Sequence, residues 1–246
     1  MTKEIEIREC TTVDELAECV DLQRSVFRLP ELEISPVRHL IVTKSAGGFT
    51  LGAYSSGGEL IGFVLSVPAF LRGHWAFYSH MTAVREGFQG AGIGRRLKWA
   101  QRDRALQLGV RLIKWTFEPV KARNAYFNLE KLGAIVLDYQ EDFYGPDYAT
   151  SPGIGLASDR LFAEWHLESE KVAALSCGDD YEERKRPARS IEVPASWTSI
   201  IKEDPQQALA VQLGVRKEFE EAFANGLVCR SFRRDDLRPA YILYED

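Results

Sequence analysis

The sequence predicts an α/β domain with a mixed central sheet flanked by helices, followed by a small α+β C-terminal extension. Three observations carry that expectation. Strand-like runs, with period-two alternation or rich in β-branched and aromatic residues, recur between segments of helical spacing. Helices between strands call for parallel pairing, whereas Ser56-Gly57-Gly58 joins two strands as a hairpin, so the sheet is mixed. The pattern then breaks at a charged stretch, Ser169 to Ser190, and a helix with closing strands follows it.

The elements can be justified in order. Glu4 to Arg8 alternates like a short strand. Thr12-Val13-Asp14-Glu15 has capping-box spacing, and Leu16, Val20, Val26 and Phe27 continue it at helical intervals. A second helix follows Ser35-Pro36, with Pro36 in its first turn. Phe49 to Tyr54 and Leu60 to Ser66 form the hairpin, and His74 to Val84 is a long aromatic strand. A helix follows with Ile93, Leu97, Ala100 and Leu108 on one face and Gly109 as its stop. Arg111 to Phe117 is a strand ended by Pro119; Ala122 to Leu132 is a helix stopped by Gly133. Ala134 to Tyr139 and Arg160 to Leu167 are strands on either side of an aperiodic segment, 141–159. In the tail, a strand near Ile191-Glu192-Val193 precedes a helix with Asp204 as N-cap, Pro205 at N1 and Gly226 beyond its end. Val228 to Phe232 and Ala240 to Tyr244 close the chain as a strand pair. The expected domains are 1–168, a charged linker 169–190, and an extension 191–246 packed on the core or on a partner subunit.

Composition narrows the function classes. The chain has 246 residues, 45% hydrophobic and 27% charged, which is globular and excludes disordered or collagenous classes. Lys plus Arg number 31 against 36 Asp plus Glu, a net charge of −5, which gives no broad positive field for nucleic acid or an anionic membrane. Leu60 to Leu71 is too short and too interrupted to span a bilayer. The N-terminal residues lack a signal peptide's apolar stretch. Cys10, Cys19, Cys177 and Cys229 form no CxxC pair, so buried reduced thiols, no metal site and a cytoplasmic location are expected.

The segment Gln89-Gly90-Ala91-Gly92-Ile93-Gly94 joins a strand to a helix. Glycines there admit a ligand close to the backbone, and free N–H groups at a helix start, with the dipole, favour phosphate. Arg95, Arg96 and Lys98 are expected to add positive charge. It is no Rossmann fingerprint, because the third glycine would fall at Arg95, and no P-loop, because Gly-Lys-Ser/Thr is missing.

Val84 to Gly94 resembles the acyl-CoA pyrophosphate loop of the GNAT superfamily of N-acetyltransferases, which reads Arg or Gln, two residues, Gly, one residue, then Gly or Ala. Gln89, Gly92 and Gly94 fit, and the valine and aromatic residue before them stand where the family has them. Asn124 to Gly133, with Glu130-Lys131-Leu132-Gly133, resembles the helix that closes on the CoA arm. Element order agrees over roughly residues 4–168, and the whole chain resembles a bacterial GNAT branch with a C-terminal extension. The resemblance implies acetyl-CoA or another acyl-CoA as co-substrate and a small-molecule amine as acceptor, and a homodimer is compatible with it. Residue by residue it implies that the loop Gln89, Gly90, Ala91, Gly92, Ile93, Gly94 and Arg95 cradles the pyrophosphate. Thr82, Ala83 and Val84 would lie along the pantetheine arm, and the Thr82 N–H would polarise the thioester carbonyl. Asn124 would bond the CoA arm, although its distance to Gly133 is shorter than usual in the family.

Acyl transfer to an amine needs a base for the ammonium proton. Period two places Tyr78, His80, Thr82 and Val84 on one strand face. His80 is the favoured base, because it titrates in the useful range and because a histidine stands at the matching place in the arylalkylamine branch of the family. Glu118, at the end of the next strand, is the second candidate. The family's thiolate-protonating tyrosine is replaced here by Leu129, with Tyr126 and Tyr144 as substitutes without a motif. The expected function is therefore an acyl-CoA-dependent N-acyltransferase working by direct attack in a ternary complex. An N-succinyltransferase and a non-catalytic acyl-CoA sensor are the alternatives. His39, His74 and His166 are read as structural or exposed, and the five tryptophans as packing.

Overall fold

Strand β1 (Glu6–Glu9) passes into helix α1 (Val13–Phe27) through a complete capping box. The Glu15 N–H donates to Thr12 Oγ1 at 3.2 Å, and the Thr12 N–H donates to Glu15 Oε2 at 3.0 Å. The structure is a computed structural model and describes residues 5–145 and 156–246. Met1 to Glu4, including the expected strand start, and positions 146–155 of the aperiodic segment lie outside the described residues. Packing divides the chain into two units, Met1–Lys114 and Trp115–Asp246.

The first unit continues with helix α2 (Val37–Ser45) and strands β2 (Phe49–Tyr54), β3 (Leu60–Leu71) and β4 (His74–Val84). Helix α3 (Ile93–Gln107) and strand β5 (Leu112–Phe117) complete it, β5 crossing the boundary between units. The strand order is β1-β2-β3-β4-β5. The first four are antiparallel, and β4 runs parallel to β5 at Phe77↔Ile113 and Tyr78↔Lys114, so the sheet is mixed. Strand β3 runs on to Leu71 rather than stopping at Ser66. Pro68 is tolerated because it lies past the last partner β2 offers, Phe49↔Ser66. One face of the sheet buries Phe63, Leu65 and Ala83 against Leu16, Val20 and Leu40 of α1 and α2. The other carries α3 so closely that a Cβ on Gly62 would stand 3.1 Å from Leu97.

The second unit holds α4 (Ala122–Tyr126), a π turn (Phe127–Lys131), β6 (Ile135–Gln140), β7 (Arg160–His166) and α5 (Glu170–Cys177). It ends with β8 (Arg189–Glu192), α6 (Trp197–Glu203), α7 (Pro205–Ala224), β9 (Leu227–Arg233) and β10 (Ala240–Glu245). These strands lie in the order β7-β6-β9-β10-β8. Asp204 caps α7 as expected, its Oδ1 accepting the Gln207 N–H at 3.0 Å, and Gly226 takes φ 74° beyond the end. Within the charged stretch, Ser169 caps α5, an element that alternation alone did not reveal. Strand β9 meets β6 at Val136↔Cys229, and the Tyr241 hydroxyl donates to the Pro119 carbonyl at 2.6 Å.

Two expectations about side chains are corrected, and a third gains detail. Cys10, Cys19 and Cys229 are buried, but Cys177, in the last turn of α5, is exposed. Trp115, Trp165 and Trp197 are core residues, whereas Trp75 is 69% exposed at the β3–β4 hairpin, where it meets Phe70 edge-on. His39 has a specific neighbour, described below. Among the described residues no helix is long and apolar enough to cross a membrane.

Candidate functional site

The glycine segment forms an open cradle at the start of α3. Gly90 and Gly92 take φ 83° and 80°, values that side chains oppose, and a Cβ on either would meet no atom within 4 Å. Gly92 is the N-cap of α3, and no side chain caps the helix. Its first N–H groups are thus left to solvent or an anion. Gln89 locks the approach, its Nε2 donating to the Val84 carbonyl at 2.9 Å. Arg95 is exposed beside the cradle. Arg96 is engaged with the Ile5 carbonyl at 2.7 Å. Lys98 corrects the expectation of a third nearby charge. It faces the sheet, is 3% exposed and donates to Ser79 Oγ at 3.0 Å, and burial pushes its pKa well below the usual lysine value.

Strand β4 leads into the cradle. The Arg85 N–H donates to the Ile61 carbonyl at 2.9 Å, toward β3. Alternation therefore turns the N–H groups of Val84 and Thr82 to the opposite edge, the β5 side. Among the described residues, the β4–β5 ladder covers only Phe77 and Tyr78 on that edge. Ala83 is buried in the core beside Phe63 and Leu65.

A bulge changes the face expected for His80. Leu65 pairs with Met81 and the next residue, Ser66, pairs with Ser79, so His80 is the extra residue. Thr82 and Val84, opposite Val64 and Gly62, stay on the α3 side, whereas Tyr78, opposite Val67, falls on the other side. The four residues do not line one face. His80 instead stands 3.3 Å (Nε2) from Ser35 Oγ, with the His39 ring edge-on at 5.7 Å. His80 is exposed at the surface, yet desolvation by the atoms packed around it, followed by the charge of His39, lowers its pKa.

The remaining candidates belong to the second unit. The Glu118 carboxylate accepts from Lys121 Nζ at 2.6 Å, an ion pair three residues apart. Asn124 is exposed on α4. Glu130 ties the end of the π turn to the tail: it accepts the Phe232 N–H at 2.7 Å and pairs with Lys171.

Residues 15–134 match the family model described as the acetyltransferase (GNAT) family. That segment is a GNAT acetyltransferase domain. No curated protein matches the sequence significantly. Solved structures with the same fold include a protein of Acinetobacter baylyi described as an acetyltransferase, 15% identical with TM-score 0.56 over 69% of this chain and 95% of its own. A GNAT family acetyltransferase of Elizabethkingia anophelis with acetyl-CoA bound is 20% identical, TM-score 0.50, over 66% and 98%. Salmonella typhimurium yncA with its cofactor acetyl-CoA is 16% identical, TM-score 0.53, over 67% and 95%. At these identities the likeness speaks for the fold alone.

Sequence reasoning missed two features of this GNAT chain. The expected helix over Ala122–Leu132 turns π after Tyr126, with the Leu132 N–H reaching back to the Phe127 carbonyl at 3.1 Å. Leu129 is fully buried, Tyr126 sits under the cations of Lys131 and Arg234, and the Tyr144 hydroxyl lies 3.2 Å from Thr116 Oγ1. The second feature is the Ser35–His80–His39 cluster. Its only sequence signal was a serine before a proline at a helix start, which says nothing of a distant strand.

Proposed function

We propose that this GNAT protein is an acyl-CoA-dependent N-acyltransferase, with acetyl-CoA as donor and the amine of a small molecule as acceptor. The observation that carries the reading is the open, left-handed glycine cradle at an uncapped helix start, directly after a strand edge with backbone groups turned outward. Gly90, Gly92, Gly94 and Arg95 would hold the pyrophosphate through N–H groups, and the space where a Cβ would stand fits a group that approaches the backbone. Thr82 and Val84 would hold the pantetheine arm by strand-like bonds. Bound acetyl-CoA supplies the activated acyl group. The Thr82 N–H would face the developing oxyanion, and His80 would take a proton from the acceptor's ammonium, freeing the amine to attack the thioester carbonyl; the C–N bond would form as the C–S bond breaks and CoA leaves as the thiolate. Glu118 is the second candidate base, and its carboxylate is already engaged by Lys121 Nζ at 2.6 Å. Asn124 on α4 is the further proposed contact to the CoA arm. Residues 1–168 would form the acyltransferase part, 169–190 a charged linker, and 191–246 a C-terminal extension.

A second reading, an acyl-CoA sensor without turnover, draws on Leu129, a buried leucine at the position matched to the family's thiolate-protonating tyrosine. A thiol leaves adequately without one, since its pKa of about 8.5 is low for a leaving group. Incubation with acetyl-CoA and a mixture of primary amines, followed as free thiol and acylated product, decides between them. His80→Gln should retain CoA affinity and lose about 100-fold or more in turnover at neutral pH, less at high pH where the amine is already free. Wild-type protein that binds CoA and releases no thiol with any amine would favour the sensor.

A further inference from the structure

His80 owes its position to the β4 bulge, but its ring is met by residues from a different part of the chain. Ser35 and His39 come from the entry to α2, and both are held by buried neighbours. Ile34 before Ser35 is 7% exposed and Leu40 after His39 is 1% exposed, and both belong to the hydrophobic core of this unit. Pro36 fixes the turn between them: its φ is −72°, it restricts Ser35 to extended backbone, and its carbonyl accepts the His39 N–H at 2.8 Å. The backbone at Ser35 and His39 is therefore held in place, and from it the serine hydroxyl and the His39 ring reach His80.

We infer that Ser35 and His39 are positioning residues for His80: the serine hydroxyl fixes which ring nitrogen is open, and His39 limits the charge the pair can carry. This rests on the reading of His80 as the base. Oγ at 3.3 Å from Nε2 occupies that nitrogen; the hydroxyl can donate or accept, and when it accepts from Nε2–H the lone pair stands on Nδ1, open to take a proton. A charge on the His39 ring, its centroid 5.7 Å away, disfavours a charge on the His80 ring. The residues flanking the bulge, Ser79 and Met81 on β4 and Leu65 and Ser66 on β3, are uncharged, and His39 is the charged group that acts on His80. The outcome is a base that stays neutral, and so able to accept a proton, where an isolated histidine would already be partly charged.

The test is a histidine NMR titration of the full chain, read alongside thiol release from acetyl-CoA with the amine mixture. In His39→Gln, the His80 midpoint should rise by about half a pH unit or more, the repulsion of two unit charges at this range in a watery medium. The acid limb of thiol release should move the same way. In Ser35→Ala, the ring ¹⁵N shifts should report a changed tautomer, and Ser35→Thr should restore it. A His80 midpoint that stays put in His39→Gln removes His39 from the inference, and an unchanged tautomer in Ser35→Ala removes Ser35. An acyl adduct on Ser35 after exposure to acetyl-CoA would make it a nucleophile and overturn its positioning role. If His80→Gln leaves thiol release unchanged while the NMR coupling persists, the base reading fails separately.

Discussion

Lys98 Nζ donates to Ser79 Oγ at 3.0 Å, from α3 down onto the strand next to the His80 bulge. Ser79 is shared with Gln101, whose Nε2 also donates to Ser66 Oγ at 2.7 Å. The polar groups behind β4 thus form a buried network that does not depend on the lysine alone. Burial holds the Lys98 pKa well below its ordinary value, so the unfolded chain binds this proton more readily than the folded one. The charge therefore costs stability below the ordinary lysine pKa, increasingly as pH falls toward the folded-state value. Lys98→Met should raise stability at neutral pH, because the thioether has no charge to desolvate. The gain should shrink toward alkaline pH. Denaturant melts at several pH values measure it; a variant less stable at every pH would make the amine essential to the network.

Gly92→Glu should abolish CoA binding. At φ 80° any side chain is strained, and this one adds a negative charge at the helix start where phosphate would sit. Calorimetry with CoA on the folded variant reads the effect. Affinity equal to wild type would remove the cradle from the proposed site.

The legible parts of this fold are those set by neighbours in sequence. Thr12 to Glu15, Asp204-Pro205 and Gly92 act within one turn of chain, so spacing alone located their helices. What sequence could not reveal depends on partners far along the chain. The bulge at His80 exists only in register with Leu65 and Ser66 of β3, and it undid a period-two argument that holds elsewhere on the strand. The burial of Lys98 depends on which face of α3 meets the sheet. The cradle residues were found, because glycine at a strand-to-helix turn is a local signal; the residues around His80 were not, because Ser35 and His39 reach it through tertiary packing.

The capping box gives a pH signature. The Thr12 N–H, then Arg8, hold the Glu15 carboxyl down to about 2. A depressed carboxylate pKa contributes stability that is present above the unfolded value, near 4.5, and lost as pH falls toward about 2. Glu15→Gln should therefore cost about 1 kcal/mol at neutral pH, and the difference from wild type should close between these two values. A constant difference across that range, in urea melts from neutral to acid pH, would assign the cost to shape rather than charge.

The last prediction concerns what α7 does within its unit. Arg216 reaches Asp159 with two bonds at 3.0 Å, and also pairs with Glu141. The Asp159 side chain is 1% exposed and accepts the Tyr139 hydroxyl at 2.5 Å and the Asp142 N–H at 3.1 Å. Gln212, one helical turn earlier, bonds both backbone groups of Ala157, its Oε1 accepting the N–H at 3.1 Å and its Nε2 donating to the carbonyl at 2.8 Å. Helix α7 thus supplies the partners that make a buried carboxylate and a bare stretch of backbone tolerable. Asp159→Ala leaves Arg216 with only Glu141 and should cost about 3 kcal/mol, because breaking a buried pair strands a charge. Adding Arg216→Met to it should return part of that loss, since the stranded charge is then gone. A chain ending at Ser169 removes Arg216 and Gln212 together, and should be insoluble or melt far below the full chain. A soluble truncated chain with the full-length melting temperature would make α7 dispensable, and a small loss in Asp159→Ala would show that solvent reaches the carboxylate.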